Sequence, residues 1–122
     1  MPDVINPFLL VWEAVKFVET RNNPDTINYT EMAYGPGQIR QEKLDDFNLA
    51  NGTNFTLIDC LDEKISKRIF MWHCMRYNEC DLAIRRWNGS GPETYKYLEK
   101  VNEVLRTLSP ARGERIRMKE KM

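Results

Sequence analysis

The chain has 122 residues, which is enough for one compact hydrophobic core and too few for two ordinary domains. Its 18 basic and 18 acidic residues cancel, so no net field would steer it toward nucleic acid or an anionic membrane surface. The apolar run from Phe8 to Val18 is interrupted by Glu13 and Lys16 and falls short of the roughly 20 residues that span a bilayer, so no membrane insertion is expected.

The first predicted helix begins near Pro7, a residue that suits the first turn of a helix. Apolar residues recur at helical spacing through Val18, and Asn22, Asn23 and Pro24 then stop the helix. Glu19 therefore lies at the C-terminal end of an apolar helix.

Glu19 occupies an unusual position on that helix. At about 100° per residue it lies on the same face as Phe8 and Trp12, while Glu13 points the other way. Burial disfavours the charged form of a carboxyl group, and a Glu that stays protonated near neutral pH can protonate a leaving group. The alternative is a flexible side chain that bends out to solvent. The helix alone leaves both interpretations open.

Residues 21–39 are rich in Asn, Pro, Gly, Thr and Tyr and show no sustained periodicity. This composition predicts a loop or a short, irregular pair of strands. A substrate groove could be lined by this segment.

Two short helices are predicted next, each with one buried face. The first contains Leu44 and Phe47 and ends at Asn51 and Gly52. The second is capped by Asp62, and its apolar residues recur at positions 65, 69 and 72.

A brief fourth helix is predicted from Asp81 to Trp87, and a long last helix from Pro92 to Leu108. Residues 1–108 are therefore expected to form one mostly α domain. Apolar spacing fails in residues 109–122, which are locally basic and are expected to form a frayed or weakly helical tail.

Three segments carry the motifs of a known group of enzymes in the same order. They read Val18-Glu19-Thr20-Arg21-Asn22-Asn23-Pro24, then Gly35-Pro36-Gly37-Gln38-Ile39, then Trp87-Asn88-Gly89 with Tyr97-Leu98-Glu99-Lys100-Val101. Between Leu10 and Leu105 the chain resembles the lytic transglycosylase and goose-type lysozyme group of the lysozyme-like superfamily. The resemblance implies a lysozyme-like fold and a peptidoglycan glycan strand as the substrate.

The resemblance assigns Glu19 as the catalytic general acid. Thr20 stands where the group usually has Ser, retains a hydroxyl group and is a candidate substrate-binding residue. In that group one Glu acts first as an acid and then as a base, and no metal or other cofactor is expected.

The resemblance also predicts the residues that line the cleft. Gln38 would lie beside the acid and, with Tyr34, shape the groove, since an amide offers both a donor and an acceptor to an N-acetyl sugar. A plain turn with a solvent-facing Gln is the alternative. Asn88 and Tyr97 match the third motif, while Trp87 replaces the usual Tyr. Tyr97 could bond the acid or the sugar, or be an ordinary core residue.

The number of carboxylates separates two reactions within this group. An inverting hydrolase needs a second carboxylate about 6.5–9.5 Å from the acid to activate water, and the candidates are Glu31, Asp45 and Asp46. In a lytic transglycosylase the N-acetyl group assists departure and the muramic 6-hydroxyl attacks instead. Glu31 does not align with the goose-type Asp positions, which favours the transglycosylase.

The cysteine and histidine residues do not predict a metal site. Cys60, Cys74 and Cys80 are an odd number without Cys-x-x-Cys spacing, and His73 lies among helical core residues. We expect free, buried thiols in a reducing compartment.

The N-terminal sequence lacks the basic region and cleavage site of a signal peptide, so synthesis in the cytoplasm is expected. By analogy with the group, the protein is expected to act on the cell wall or in the periplasm. An enzyme made in the cytoplasm that acts there suggests a phage lysis factor or a virion component. The competing hypothesis is a non-catalytic lysozyme-like module, in which Arg21, Arg85 or Arg86 would hold Glu19 in a salt bridge.

Overall fold

The computed structural model describes residues 7–23 and 25–108. Most of these residues are helical, which confirms the predicted mostly α class. The α-helices are α1 (Pro7–Thr20), α2 (Gln41–Asn51), α3 (Glu63–Met75), α4 (Cys80–Asn88) and α5 (Thr94–Leu108). A 3-10 helix covers Ile58–Leu61, and two short strands, β1 (Ile27–Asn28) and β2 (Ala33–Tyr34), lie between α1 and α2. The predicted tail at 109–122 lies outside the described residues.

Local sequence signals set most helix ends where they were predicted. The Asp62 carboxylate accepts bonds from the backbone N–H groups of Lys64 and Ile65 and so caps α3. Gly52, at φ 65°, takes the left-handed conformation that closes α2. Both predicted caps are confirmed, because each depends only on neighbours in sequence.

Two helix starts differ from the prediction. Helix α4 begins at Cys80, one residue early, and α5 begins at Thr94, two residues after Pro92. The backbone N–H of Tyr95 donates to the Pro92 carbonyl, so the chain passes through a tighter turn before α-helical bonding begins.

The segment after α1 is the predicted irregular strand pair. Strands β1 and β2 are antiparallel, with Ile27 opposite Tyr34 and Asn28 opposite Ala33. Arg21 and Asn22 have positive φ angles, and the backbone N–H of Arg21 donates to the Phe17 carbonyl. The chain thus leaves α1 through a left-handed turn and returns past the end of that helix.

Aromatic side chains from three helices form the centre of the core. The rings of Trp12 (α1) and Phe70 (α3) lie 5.2 Å apart, and the ring of Trp87 (α4) meets Phe70 edge-on at 5.0 Å. Helix α5 packs along α1 and contributes the buried residues Tyr97 and Val101. The last turn of α1 lies beside the first turn of α5, where Tyr97 bonds Glu19.

None of the helices in the described part of the chain combines the length and the apolar character that a membrane span requires.

The turn after β2 is pressed against the 3-10 helix. A Cβ atom on Gly35 would overlap the backbone carbonyl oxygen of Cys60, and Gly35 has φ 81°. A Cβ on Gly37 would lie 3.1 Å from the Trp87 ring and 3.2 Å from the Trp12 ring. The glycines predicted to allow close backbone approach do so, and the group that approaches each of them belongs to the protein itself.

We predict that Gly35→Ala lowers the free energy of unfolding by more than about 3 kcal/mol, because it combines backbone strain with a clash against main chain. Gly52→Ala is the matched control, since Gly52 also has positive φ but a Cβ added there would meet no neighbouring atom within 4 Å. That change should cost only about 1–2 kcal/mol. Urea unfolding measures the loss of unfolding free energy in each variant. Equal losses in the two variants would contradict the role given to Gly35.

Candidate functional site

A cleft of about 450 Å³ opens at the end of α1. Its walls come from the last turn of α1, the β1–β2 region and its following turn, the start of α2, and the C-terminal ends of α3 and α4. The lining residues are Glu19, Glu31, Ala33, Gln38, Ile39, Arg40, Glu42, Lys43, Asp46, His73, Arg76, Tyr77, Arg86, Trp87, Asn88, Gly89 and Ser90.

Glu19 reaches this cleft from the last turn of α1. The Tyr97 hydroxyl donates a hydrogen bond of 2.9 Å to Glu19 Oε2, joining residues 78 positions apart. Tyr97 is itself buried in the core, so the bond holds the carboxyl group at the inner wall of the cleft. The two alternatives for Tyr97 are therefore both realised, because it is a core residue that also contacts the predicted acid.

Burial raises the pKa of Glu19 from its ordinary value of 4.5 to about 7. The Tyr97 hydrogen bond and the positive charges of Arg40 and Lys43 act in the opposite direction, and the negative charge of Glu31 adds to the increase. A carboxyl group with this pKa is partly protonated at neutral pH, which is the state that a general acid requires.

None of the salt bridges found among the described residues involves Glu19. The three arginines proposed as its partners in a non-catalytic protein bind elsewhere. The guanidinium of Arg21 lies 4.8 Å from the Phe17 ring centre, and that of Arg85 lies 3.7 Å from the Tyr95 ring centre. Arg86 donates to the Gly89 carbonyl.

Gln38 lines the cleft, but its amide nitrogen is already bonded. Nε2 donates to the carbonyl oxygens of Thr26 at 3.2 Å and Gly35 at 3.0 Å, and the residue itself has φ 49°. The side chain therefore fastens the turn that follows β2. Its amide oxygen is the atom left to meet a ligand.

The second and third sequence motifs meet at Trp87. The indole N–H donates 3.1 Å to the Gly37 carbonyl, which attaches the glycine turn to the end of α4. Trp87 is buried and presents part of its ring to the cleft, and Asn88 follows it in the lining.

Besides Tyr97, which contacts Glu19 from the core, three predicted site residues are not among the residues that line the cleft. Thr20 is buried, and its hydroxyl donates to the Lys16 carbonyl one turn earlier. Tyr34 is buried in the core. Asp45 accepts a hydrogen bond of 2.7 Å from Gln41 on the same helix.

Two of the candidate second carboxylates do line the cleft. Glu31 is exposed and lies 3.4 Å from Arg40, and Asn28 donates to the same oxygen. Asp46 lies on α2, beside Lys43 in the lining.

Sequence reasoning did not place Arg40, Lys43 or Arg76 in the cleft, and Lys43 shows which signal was available. Lys43 and Phe47 are four positions apart on α2, so Lys43 lies on the edge of the buried face of that helix. The same spacing argument that singled out Glu19 would have singled out this lysine.

The Cys60 and Cys74 thiols and the His73 ring are held in their neutral forms. Burial raises the pKa values of Cys60 and Cys74 to about 12, and burial together with the charge of Lys43 lowers the pKa of His73 to about 3. Within residues 7–23 and 25–108, no group of three His, Cys, Asp or Glu side chains could hold a metal ion.

Comparison with protein-family models, with curated proteins and with solved structures finds no match to this chain. The functional argument therefore depends on the motifs and on the geometry of the cleft.

Because the folded pKa of Glu19 exceeds its unfolded value, the folded state should lose stability as pH rises from about 4.5 to about 7. Glu19→Gln removes this loss and keeps an acceptor for Tyr97. We predict that the free energy of unfolding of the variant, relative to that of the wild type, increases by on the order of 2–3 kcal/mol as the pH rises from about 4.5 to about 8.

Urea unfolding at the two pH values measures this gain. The exposed Glu13 on another face of α1 supplies the control. Its salt bridge with Lys16 is shared with Glu63, so Glu13→Gln should stay within about 1 kcal/mol of the wild type at both pH values. If the free energies of unfolding of the wild type and of Glu19→Gln change with pH in parallel, Glu19 ionises as freely in the folded protein as in the unfolded one, and the prediction is contradicted.

Proposed function

We propose that this protein is a peptidoglycan-cleaving enzyme, and most specifically a lytic transglycosylase that cuts the β-1,4 bond between N-acetylmuramic acid and N-acetylglucosamine. The observation that carries the proposal is the Glu19 carboxyl group, which lies in an open cleft with Tyr97 as its hydrogen-bond donor. The lysozyme-like assignment of the helical fold is part of the same proposal.

In this reaction the protonated Glu19 gives its proton to the glycosidic oxygen while the bond from that oxygen to the muramic C1 breaks. The substrate's N-acetyl oxygen stabilises the electron-poor C1. The Glu19 carboxylate then takes the proton of the muramic 6-hydroxyl, whose oxygen attacks C1 and forms a 1,6-anhydro ring. A pKa near 7 suits both steps, because the group must be an acid first and a base afterwards.

A hydrolase of the same bond is the second candidate, and the position of Glu31 favours it. Glu31 lines the same cleft, and its charge raises the pKa of Glu19, so the two carboxyl groups lie within electrostatic reach of each other. A water held between them could attack C1 in place of the 6-hydroxyl. Asp46, the other predicted second carboxylate that lines the cleft, could serve instead.

The absence of an ion-pair partner for Glu19 among the described residues argues against the non-catalytic module, whose mark would be a neutralised carboxylate. A glycan strand is the partner that the cleft would take. A phage lysis or virion role acting on the cell wall remains our proposal for where the enzyme works.

Digestion of purified peptidoglycan, with products resolved by mass spectrometry, tests the proposal. We predict products lighter by one water than hydrolytic fragments, which are the 1,6-anhydro ends. Glu19→Gln should reduce their rate of formation by about 10²–10⁴-fold, since it removes the proton that the leaving group needs.

Glu13→Gln, on the other face of α1, should leave the rate unchanged and so controls for a change in helix charge. Reducing ends in place of anhydro ends would establish the hydrolase, and Glu31→Gln and Asp46→Asn would then identify the base. No product from folded wild type on several wall types would contradict both reactions and favour the non-catalytic module.

A further inference from the structure

The proposed chemistry leaves one feature of the cleft unused, a cluster of three cations. Lys43 comes from α2, Arg76 directly follows α3, and Arg86 lies in the last turn of α4. Three separate elements thus bring positive charge to the cleft that also contains Glu19. We call Lys43, Arg76 and Arg86 the basic cluster.

The partners of the Lys43 ammonium are all uncharged. Nζ donates 3.2 Å to the Arg86 carbonyl and lies 3.4 Å from His73 Nδ1 and 4.5 Å from the centre of the Trp87 ring. His73 Nε2 lies 2.8 Å from the Ala83 carbonyl, so Nε2 carries the ring proton and Nδ1 accepts from Lys43. These contacts position the ammonium without neutralising it.

The two arginines also lack a carboxylate partner. The Arg76 guanidinium stacks 4.0 Å from the Trp72 ring centre, and Arg86 uses Nη1 on the Gly89 carbonyl at 3.4 Å. No salt bridge found among the described residues involves a member of the basic cluster. Most of the guanidinium N–H groups are therefore available to a ligand.

Two members of the basic cluster, Lys43 and Arg76, repel each other. After burial, the charge of Arg76 is the largest influence that lowers the pKa of Lys43, which falls to about 8. Asp46 and Glu42 act in the opposite direction and less strongly than Arg76. A bound anion would relieve this repulsion, and two guanidinium groups that line the same cleft as an ammonium suit a carboxylate.

We propose that the basic cluster is a subsite for a carboxylate on the peptide that branches from the glycan strand, so that the cleft prefers strands whose peptides are acidic. This inference builds on the proposed peptidoglycan substrate. It adds a second point of attachment, beside the sugar contacts, that would fix how the strand lies across Glu19.

Binding of two ligands to the Glu19→Gln protein, measured by calorimetry, tests the subsite without turnover. Both ligands are the N-acetylglucosamine–N-acetylmuramic acid disaccharide with one attached peptide. In the first the peptide carboxylates are free, and in the second they are amidated. We expect the first ligand to bind at least about tenfold more tightly, because hydrogen bonds between charged partners are roughly twice as strong as those between neutral ones.

Adding Arg76→Gln or Arg86→Gln should each shrink that preference by about fivefold or more, and raising the salt concentration should shrink it too. Arg85→Gln is the matched control, since Arg85 precedes Arg86 on α4 but is not among the cleft-lining residues. Thermal unfolding verifies that each variant is folded.

Equal binding of the two ligands, no binding of either, or a preference that survives both arginine changes would each overturn the subsite. Cleavage of peptidoglycan by the wild type is scored separately. Cleavage without a carboxylate preference would leave the proposed function intact and remove the subsite. If the protein does not cleave peptidoglycan but still prefers the free carboxylates, and this preference depends on the basic cluster, then the subsite stands and the protein is a non-catalytic binding module.

Discussion

The hydrogen bond from Tyr97 to Glu19 depends on the packing of the two terminal helices against each other. Helix α5 lies along α1, so a hydroxyl from one end of the chain reaches a carboxyl group at the other. Burial raises the pKa of Glu19, and the Tyr97 hydrogen bond limits that increase. The position of the Glu19 carboxyl group thus depends on one helix–helix contact.

The glycine turn that follows β2 supports this arrangement from the other side. Gly35 lets the turn lie against the 3-10 helix, and the bond from Trp87 to the Gly37 carbonyl fixes it to α4. Gln38 closes the turn with two hydrogen bonds, which its side-chain amide nitrogen donates to the carbonyls of Thr26 and Gly35. A residue expected to bind sugar therefore also holds together the wall on which the sugar would lie.

The sequence predicted the features that depend on near neighbours. Helical periodicity placed Glu19 on the apolar face of α1, and the caps at Asp62 and Gly52 followed from single residues. Contacts between distant segments were less accessible. Tyr97 had two possible roles in the sequence, and the meeting of Lys43 with Arg86 depends on how α2 and α4 pack, which no local pattern encodes.

The most direct test of this account is an NMR titration of the Glu19 side-chain carboxyl carbon in ¹³C-labelled protein. The account predicts a pKa of about 7 in the wild type and a higher pKa in Tyr97→Phe, because the hydrogen bond that favours the carboxylate is then lost. A pKa close to 4.5 in the wild type, unchanged in Tyr97→Phe, would mean that Glu19 is an ordinary solvated carboxylate and would contradict its proposed role as a general acid.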